Sequence, residues 1–122
     1  MKSSEVDRVI GRLADILQAI EDINLLVEGK TLNDLEADRF VRAAFERFIE
    51  IISEASRHVP LEMKNSRPEV PWRQIADIGN HLRHAYTSIS AAVLWDIYEK
   101  QQFVTLREAV ASIAGEMGSG LR

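Results

Sequence analysis

The sequence contains no cysteine, only three prolines, and no apolar run that approaches the length of a membrane span. Without cysteine there is no disulfide framework and no thiol chemistry. A transmembrane helix needs about 20 consecutive apolar residues, and the N-terminal stretch MKSSEVDRVI lacks the apolar region of a signal peptide. We therefore expect a cytoplasmic protein that does not associate with a membrane.

The chain also lacks a basic excess, since its formal net charge is −4. A generic nucleic-acid-binding domain usually carries a surplus of Lys and Arg. The local distribution is different, because residues 57–86 carry five basic side chains, three acidic ones and all three histidines. This basic island, residues 57–86, predicts a local anion site on an otherwise acidic protein.

The pattern of apolar residues is helical throughout. With 122 residues, 46% of them apolar, the chain has the length of one domain with its own core. From Val6 to Val27 the apolar positions recur at spacings of three and four, as in a helix of a bundle. No segment alternates as a half-buried strand would. The sequence predicts one all-α domain, with a core at about residues 4–117 and a frayed C-terminal tail.

Capping and breaking residues divide this domain into helices. Ser3 and Ser4 are candidate N-caps of a first long helix that ends at Gly29. Thr31, with Asp34 in the capping-box position, predicts a second long helix that continues to about residue 58. The two long helices are expected to run antiparallel. The connection over residues 59–71 holds all three prolines and is expected to contain one short turn at residues 61–64.

The rest of the chain is expected to close the bundle with two or three shorter helices. Pro71 suits the first turn of a helix that starts near Trp72. Ser90 is a candidate cap for the next helix, and Gln101 marks a bend before helical periodicity resumes to about Met117. We expect the larger aromatic side chains to lie in the core or at a subunit interface rather than to stack on bases; they are Phe40, Phe45, Phe48, Trp72, Trp95 and Tyr98.

Residues 71–86, PWRQIADIGNHLRHAY, hold most of the candidate functional side chains. Ile75, Ile78 and Leu82 form one apolar stripe, and polar residues occupy the opposite side of the helix. That polar side has three interpretations. The simplest is a solvated helix face without a function.

The two functional interpretations use different residues of the same segment. Asp77, His81 and His84, at i, i+4 and i+7, have the spacing of metal ligands, although no second histidine pair accompanies them. Alternatively, His84 acts as an acid or base, Arg83 holds a phosphate, and Asn80 and Tyr86 orient the reacting group.

Three stretches give the chain a specific resemblance: ADRFVRAAFERFIEIISEAS, PEVPWRQIADIGNHLRHAY and VLWDI. In this order they resemble the HepT-like family of small bacterial HEPN-domain proteins, from about Val6 to Ile113. The resemblance implies a HEPN-type helical bundle with two long antiparallel helices plus two or three shorter ones. It also implies a homodimer in which two copies of the motif share a cleft.

The resemblance further implies a function. The family toxin is a metal-independent ribonuclease that acts on RNA, tRNA in characterised members, and requires no cofactor. Its partner is a nucleotidyltransferase antitoxin, which adenylylates the tyrosine of the motif. The motif is Arg, four residues, His, one residue, Tyr, so its His and Tyr correspond to His84 and Tyr86. The family arginine corresponds to Gly79, which is a departure from the motif.

Arg83 is the nearest candidate to replace the missing arginine, because it lies one helical turn after Gly79 and on roughly the same side. We therefore predict a ribonuclease toxin with His84 as general acid or base, Arg83 as phosphate clamp and Asn80 as positioning group. Tyr86 would be the modification target, and Arg73 and His81 would be further substrate contacts. The alternative is a non-catalytic HEPN module that binds nucleotide or RNA beside a nucleotidyltransferase, and Gly79→Arg is expected to separate the two.

Overall fold

The computed structural model describes residues 1–84 and 90–120, without the side chains of residues 119 and 120. In these residues the chain forms seven helices and no strand, which confirms the all-α prediction. The helices are α1 (Ser3–Val27), α2 (Leu32–Ala37), α3 (Arg39–Arg57), α4 (Leu61–Asn65), α5 (Trp72–Arg83), α6 (Ala91–Glu99) and α7 (Gln102–Gly120). None of these helices is long and apolar enough to span a membrane.

The core is built on α1, which packs against both α3 and α7, while α5 packs on α3. Glu5, in the first turn of α1, lines the same groove as His58, which follows the end of α3. Helices α1 and α3 therefore run antiparallel, as predicted. The stripe of α1 and the facing residues of α3 and α7 are fully buried, among them Leu13, Ile16, Ile20, Ile23, Phe45, Ile52, Leu106 and Val110. The closing helix α7 is as long as α3, at 19 residues.

The second predicted helix is interrupted, so a single continuous helix from Thr31 was wrong. The capping box itself is present, since the Thr31 backbone N–H donates to Asp34 Oδ2 (2.8 Å) and the Asp34 N–H donates to Thr31 Oγ1 (3.3 Å). At Asp38 the backbone becomes extended, and Asp38 Oδ1 accepts hydrogen bonds from the N–H groups of Phe40 and Val41. Asp38 thus ends α2 and caps α3, because its short side chain accepts hydrogen bonds from backbone N–H groups that would otherwise donate within a continuous helix.

Most other junctions follow the predictions. Helix α1 ends before Gly29 (φ 71°), α5 begins at Trp72, and the bend precedes α7 at Gln101 (φ 63°). Ser90 caps α6, because its side chain accepts from the Val93 N–H. Two details differ. The N-cap of α1 is residue 2 without a side-chain hydrogen bond, so the predicted serine caps were wrong, and α7 continues to Gly120, beyond the predicted end.

Aromatic packing joins α3 to α6. The ring of Phe45 meets those of Trp95 and Tyr98 edge-on, at centroid distances of 6.1 and 6.4 Å. Phe45 is fully buried and Trp95 nearly so, which confirms that these rings belong to the core. Phe40, by contrast, is 73% exposed, so it is not part of that core.

Candidate active site

The contact between α3 and α5 has no room for a side chain at Gly79. Ser53 is completely buried; its Oγ donates to the Ala76 carbonyl (2.9 Å) and accepts from the Gly79 N–H (3.0 Å). A Cβ added to Gly79 would lie 2.7 Å from the Cβ of Ser53 and closer still to its Oγ. The glycine is therefore required for close approach of the two helices, and Gly79→Arg would disrupt this packing. That substitution cannot separate an enzyme from a binding module, contrary to the sequence-based expectation.

The side chain of Arg83 reaches the space next to Gly79. Its Nη1 lies 3.4 Å from the place that a Cβ on residue 79 would take, which confirms that the two positions share one side of α5. The guanidinium donates from Nη2 to Asn80 Oδ1 (2.6 Å) and from Nη1 to Glu54 Oε2 (3.3 Å). Side chains on a helix lean toward its N-terminus, so an arginine at 83 reaches back to the position where a side chain at 79 would start.

Asn80 and Arg83 line a cleft of about 900 Å³ between α1, α3 and α5. Its charged lining includes four arginines and three carboxylates: Arg12, Arg47, Arg57, Arg83, Asp15, Glu50 and Glu54. His58 lines the cleft as well. The positive charges exceed the negative ones by one before His58 is counted, so the lining of the cleft favours an anionic group.

A continuous chain of polar contacts crosses this cleft. Arg57 Nη1 donates to Asn80 Oδ1 (2.8 Å), and the same oxygen accepts from Arg83. Glu54 joins Arg83 to His58, whose Nε2 lies 3.2 Å from Glu54 Oε1. The hydrogen bond with His58 is the main cause that lowers the pKa of Glu54. Burial opposes it, and the positive charges of Arg83, His58 and Arg57 lower the pKa further. Glu54 is therefore a charged acceptor at neutral pH.

Arg57 and His58 were missed as site residues by sequence reasoning. Both belong to the basic island, but nothing in their spacing singles them out from its other cations. Arg57 comes to Asn80 only because the end of α3 packs beside α5, whereas His58 meets Glu54 one turn earlier on the same helix.

The remaining candidates lie elsewhere. His84 follows the last residue of α5, and its backbone N–H donates to the Asn80 carbonyl (3.1 Å). Its side chain is exposed and is not among the described residues that line the cleft, and His81 is exposed as well. Arg73 lines a separate groove of about 360 Å³ with Lys64 and Trp72. Tyr86 lies outside the described residues.

The metal-ligand interpretation of α5 was wrong. Asp77, His81 and His84 are all exposed. In the described part of the chain no three His, Cys, Asp or Glu side chains are arranged to hold a metal ion.

Comparison with known proteins gives the family. The sequence model of the family described as "Ribonuclease HepT-like" matches residues 16–113. A "Probable ribonuclease HepT" of Thermococcus cleftensis is 35% identical over 104 residues, which is 85% of this chain and 87% of the relative. A "Putative RNase" of Methanocaldococcus jannaschii is 30% identical, over 85% of this chain and 88% of its own. Another protein of that description, from Caldanaerobacter subterraneus, is 33% identical over 73% of this chain and 80% of its own.

No solved structure matches the chain. The chain belongs to the HepT-like ribonuclease family.

Proposed function

We propose that this protein is a ribonuclease that cleaves RNA at the cleft between α1, α3 and α5 without a metal ion. The observation that supports this most is the placement of Arg83, whose guanidinium lies above Gly79 and bonds to Asn80. The guanidinium of Arg83 thus lies beside residue 79, where the family motif has its arginine, although Arg83 comes one helical turn later in the sequence. Membership of the ribonuclease family and the positive excess of the cleft support the same proposal.

The proposed reaction is an internal transfer within RNA. The ribose 2′-oxygen attacks the adjacent phosphorus and loses its proton to a base, while the bond from phosphorus to the 5′-oxygen breaks and that oxygen takes up a proton. Histidine exchanges protons near neutral pH, so His84 is the proposed general acid or base. Arg83 would stabilise the charge that develops on the phosphoryl oxygens, and Asn80 would hold Arg83 in place. Proton transfer and electrostatic stabilisation each typically contribute a factor of about 10² to 10⁴ in rate.

The biological setting is part of the proposal. We propose that the protein is the toxin of a bacterial toxin–antitoxin pair, acts on tRNA in the cytoplasm, and is neutralised by a nucleotidyltransferase. That enzyme would transfer AMP to the hydroxyl of Tyr86. Arg73 and His81 would contact the RNA outside the cleft, since both are exposed on α5.

We also propose that the protein acts as a homodimer through the face of α5. The exposed residues of this helix are polar and include His81, and the exposed His84 follows directly, so a second copy would bring two sets of these histidines together. Light scattering at micromolar concentration should give twice the chain mass of 13.8 kDa. A particle of the single-chain mass would exclude this dimer.

One observation favours a second function. The His84 side chain is exposed and is not among the described residues of the cleft that holds Asn80 and Arg83. A protein that binds RNA or nucleotide there without cleaving it, beside a nucleotidyltransferase partner, is the alternative.

Expression in bacteria and incubation of the purified protein with tRNA separate the two functions. The ribonuclease should arrest growth and cut tRNA, and His84→Ala and Arg83→Ala should abolish both effects. Arg107→Ala is the matched control, because Arg107 is exposed on α7 and has no hydrogen bond or ion pair with the described residues. If expression is harmless and tRNA stays intact with wild-type protein, the ribonuclease proposal fails and the binding module replaces it.

A further inference from the structure

Asn80 Oδ1 accepts hydrogen bonds from two guanidinium groups. Arg83 donates to it at 2.6 Å from the end of α5, and Arg57 donates at 2.8 Å from the end of α3. An amide oxygen has two lone pairs, so this acceptor is fully used. Because the amide is neutral, it sets the distance between the two cations without compensating their charge.

Of the two arginines, Arg57 has less negative charge in direct contact with its guanidinium than Arg83 has. Arg83 forms an ion pair with Glu54 at 3.3 Å, and Glu54 also bonds to His58. Arg57 forms no ion pair with any described residue, and the one hydrogen-bond partner of its guanidinium among them is Asn80. Its charge is nevertheless felt nearby, since burial and then repulsion by Arg57 lower the pKa of Lys64. The guanidinium has five N–H donors, so Arg57 keeps donors free for an anion in the cleft.

We infer that Arg57 binds an RNA phosphate next to the one that Arg83 binds, and that Asn80 sets the spacing of the two arginines. This inference rests on the proposed RNA-binding function of the cleft and adds a second cation from a different helix. Planar guanidinium groups suit phosphate oxygens because each presents paired donors. The RNA strand would then contact both α3 and α5, and Glu54 would compete with the RNA for Arg83.

A purely structural role for Arg57 predicts different behaviour. If Arg57 only holds Asn80, its removal changes the geometry of the site but not the number of phosphate charges that the protein neutralises. The salt dependence of binding measures that number, since log K falls with log salt by about 0.7 per phosphate contact for a single strand. The slope therefore distinguishes a phosphate-binding residue from a positioning residue.

The test uses the full chain and a fluorescent 2′-O-methyl single-stranded RNA, which lacks the attacking hydroxyl and reports binding alone. Anisotropy titrations over a range of salt concentrations should show that Arg57→Gln weakens binding roughly 10- to 100-fold and reduces the slope by about 0.7. Arg57→Lys should keep the slope, because the charge is retained. Glu54→Gln should bind more tightly than wild type, because it removes the competing carboxylate.

Arg39→Gln is the matched control. Arg39 lies on the same helix, is exposed, and sits 5.0 Å from the centre of the Phe40 ring. It should leave affinity and slope unchanged. A wild-type slope in Arg57→Gln, or no binding of this RNA by the wild type, would overturn the inference. Failure of the proposed reaction is a separate result, since it would appear as intact unmodified RNA while binding and its dependence on Arg57 remain.

Discussion

The Gly79 N–H donates to the buried Ser53 Oγ at 3.0 Å, and this contact sets how closely α5 approaches α3. A Cβ at any other residue in this place would collide with Ser53, so α3 and α5 can pack this closely only where Gly79 faces Ser53. That register places Asn80 beside Arg57 and Arg83 beside Glu54. The polar network of the cleft therefore depends on a helix contact that is itself buried.

The first prediction concerns this contact. Gly79→Ala should lower the free energy of unfolding by about 1–3 kcal/mol, because an added methyl overpacks the interface with Ser53. Gly11→Ala is the control, because nothing lies within 4 Å of a Cβ there and alanine is the better helix former. It should raise the free energy of unfolding by about 0.5–1 kcal/mol. Urea unfolding followed by circular dichroism measures both.

A double-mutant cycle tests the stated cause of that loss. Ser53→Gly removes both atoms that a Cβ on residue 79 would strike. In that background Gly79→Ala should lower the free energy of unfolding much less than it does in the wild type. The difference between the two losses is the coupling energy, which is about 0.5–3 kcal/mol for residues in contact. Equal costs in the two backgrounds would show that the collision with Ser53 is not the cause.

The second prediction compares two phenylalanines of α3. Phe45→Ala should destabilise the protein by about 3–5 kcal/mol, since Phe45 is fully buried among the rings of Trp95 and Tyr98. Phe40→Ala should change stability by about 0.5 kcal/mol or less, because this side chain is 73% exposed. Chemical denaturation of the two variants measures the difference. A large loss at Phe40 in a protein that light scattering shows to be a dimer would place this residue in an interface.

The third prediction concerns the pH dependence of stability at the capping box. The backbone N–H and the hydroxyl of Thr31 donate to Asp34 and lower the pKa of its carboxyl group. The ionised carboxylate therefore stabilises the fold above its unfolded-state pKa, and this contribution is lost as the pH falls through the lower folded-state pKa. Asp34→Asn should be less stable than wild type at about pH 7, and the difference should shrink toward about pH 3.

Urea unfolding at several pH values checks this expectation. The same substitution at Asp7 is the control, because the Asp7 carboxylate has no hydrogen-bond partner among the described residues. A difference between wild type and Asp34→Asn that stays constant over the whole pH range would contradict the role of the carboxylate charge.

The fourth prediction concerns Asn80 in the proposed reaction. Asn80→Ala removes the shared acceptor of Arg57 and Arg83, so the two guanidinium groups lose their fixed spacing. RNA cleavage should fall roughly 10- to 100-fold in kcat/KM, which corresponds to the loss of hydrogen bonds to charged groups. Gln74→Ala, an exposed change on the same helix, should cleave as the wild type does. Normal cleavage by Asn80→Ala would remove this residue from the site.

Much of the fold followed from local patterns in the sequence. The spacing of apolar residues from Val6 to Val27 predicted α1, Pro71 predicted the start of α5, and Ser90 predicted the cap of α6. These features depend on neighbours within one or two helical turns, so the sequence alone reveals them. The break at Asp38 was missed because the residue suits either a helix start or the interior of a polar helix face, and the choice depends on how α2 and α3 pack.

The site shows the same division between local and long-range information. Asn80 and Arg83 were predicted because they lie within one turn of a single helix, in a segment that resembles a known motif. The distance between Gly79 and Ser53, and with it the meeting of Arg57 with Asn80 and of Glu54 with Arg83, was decided by tertiary structure. Residues 23 to 29 positions apart come together only when two helices pack, because hydrophobic burial and steric fit set that register and local spacing does not record it.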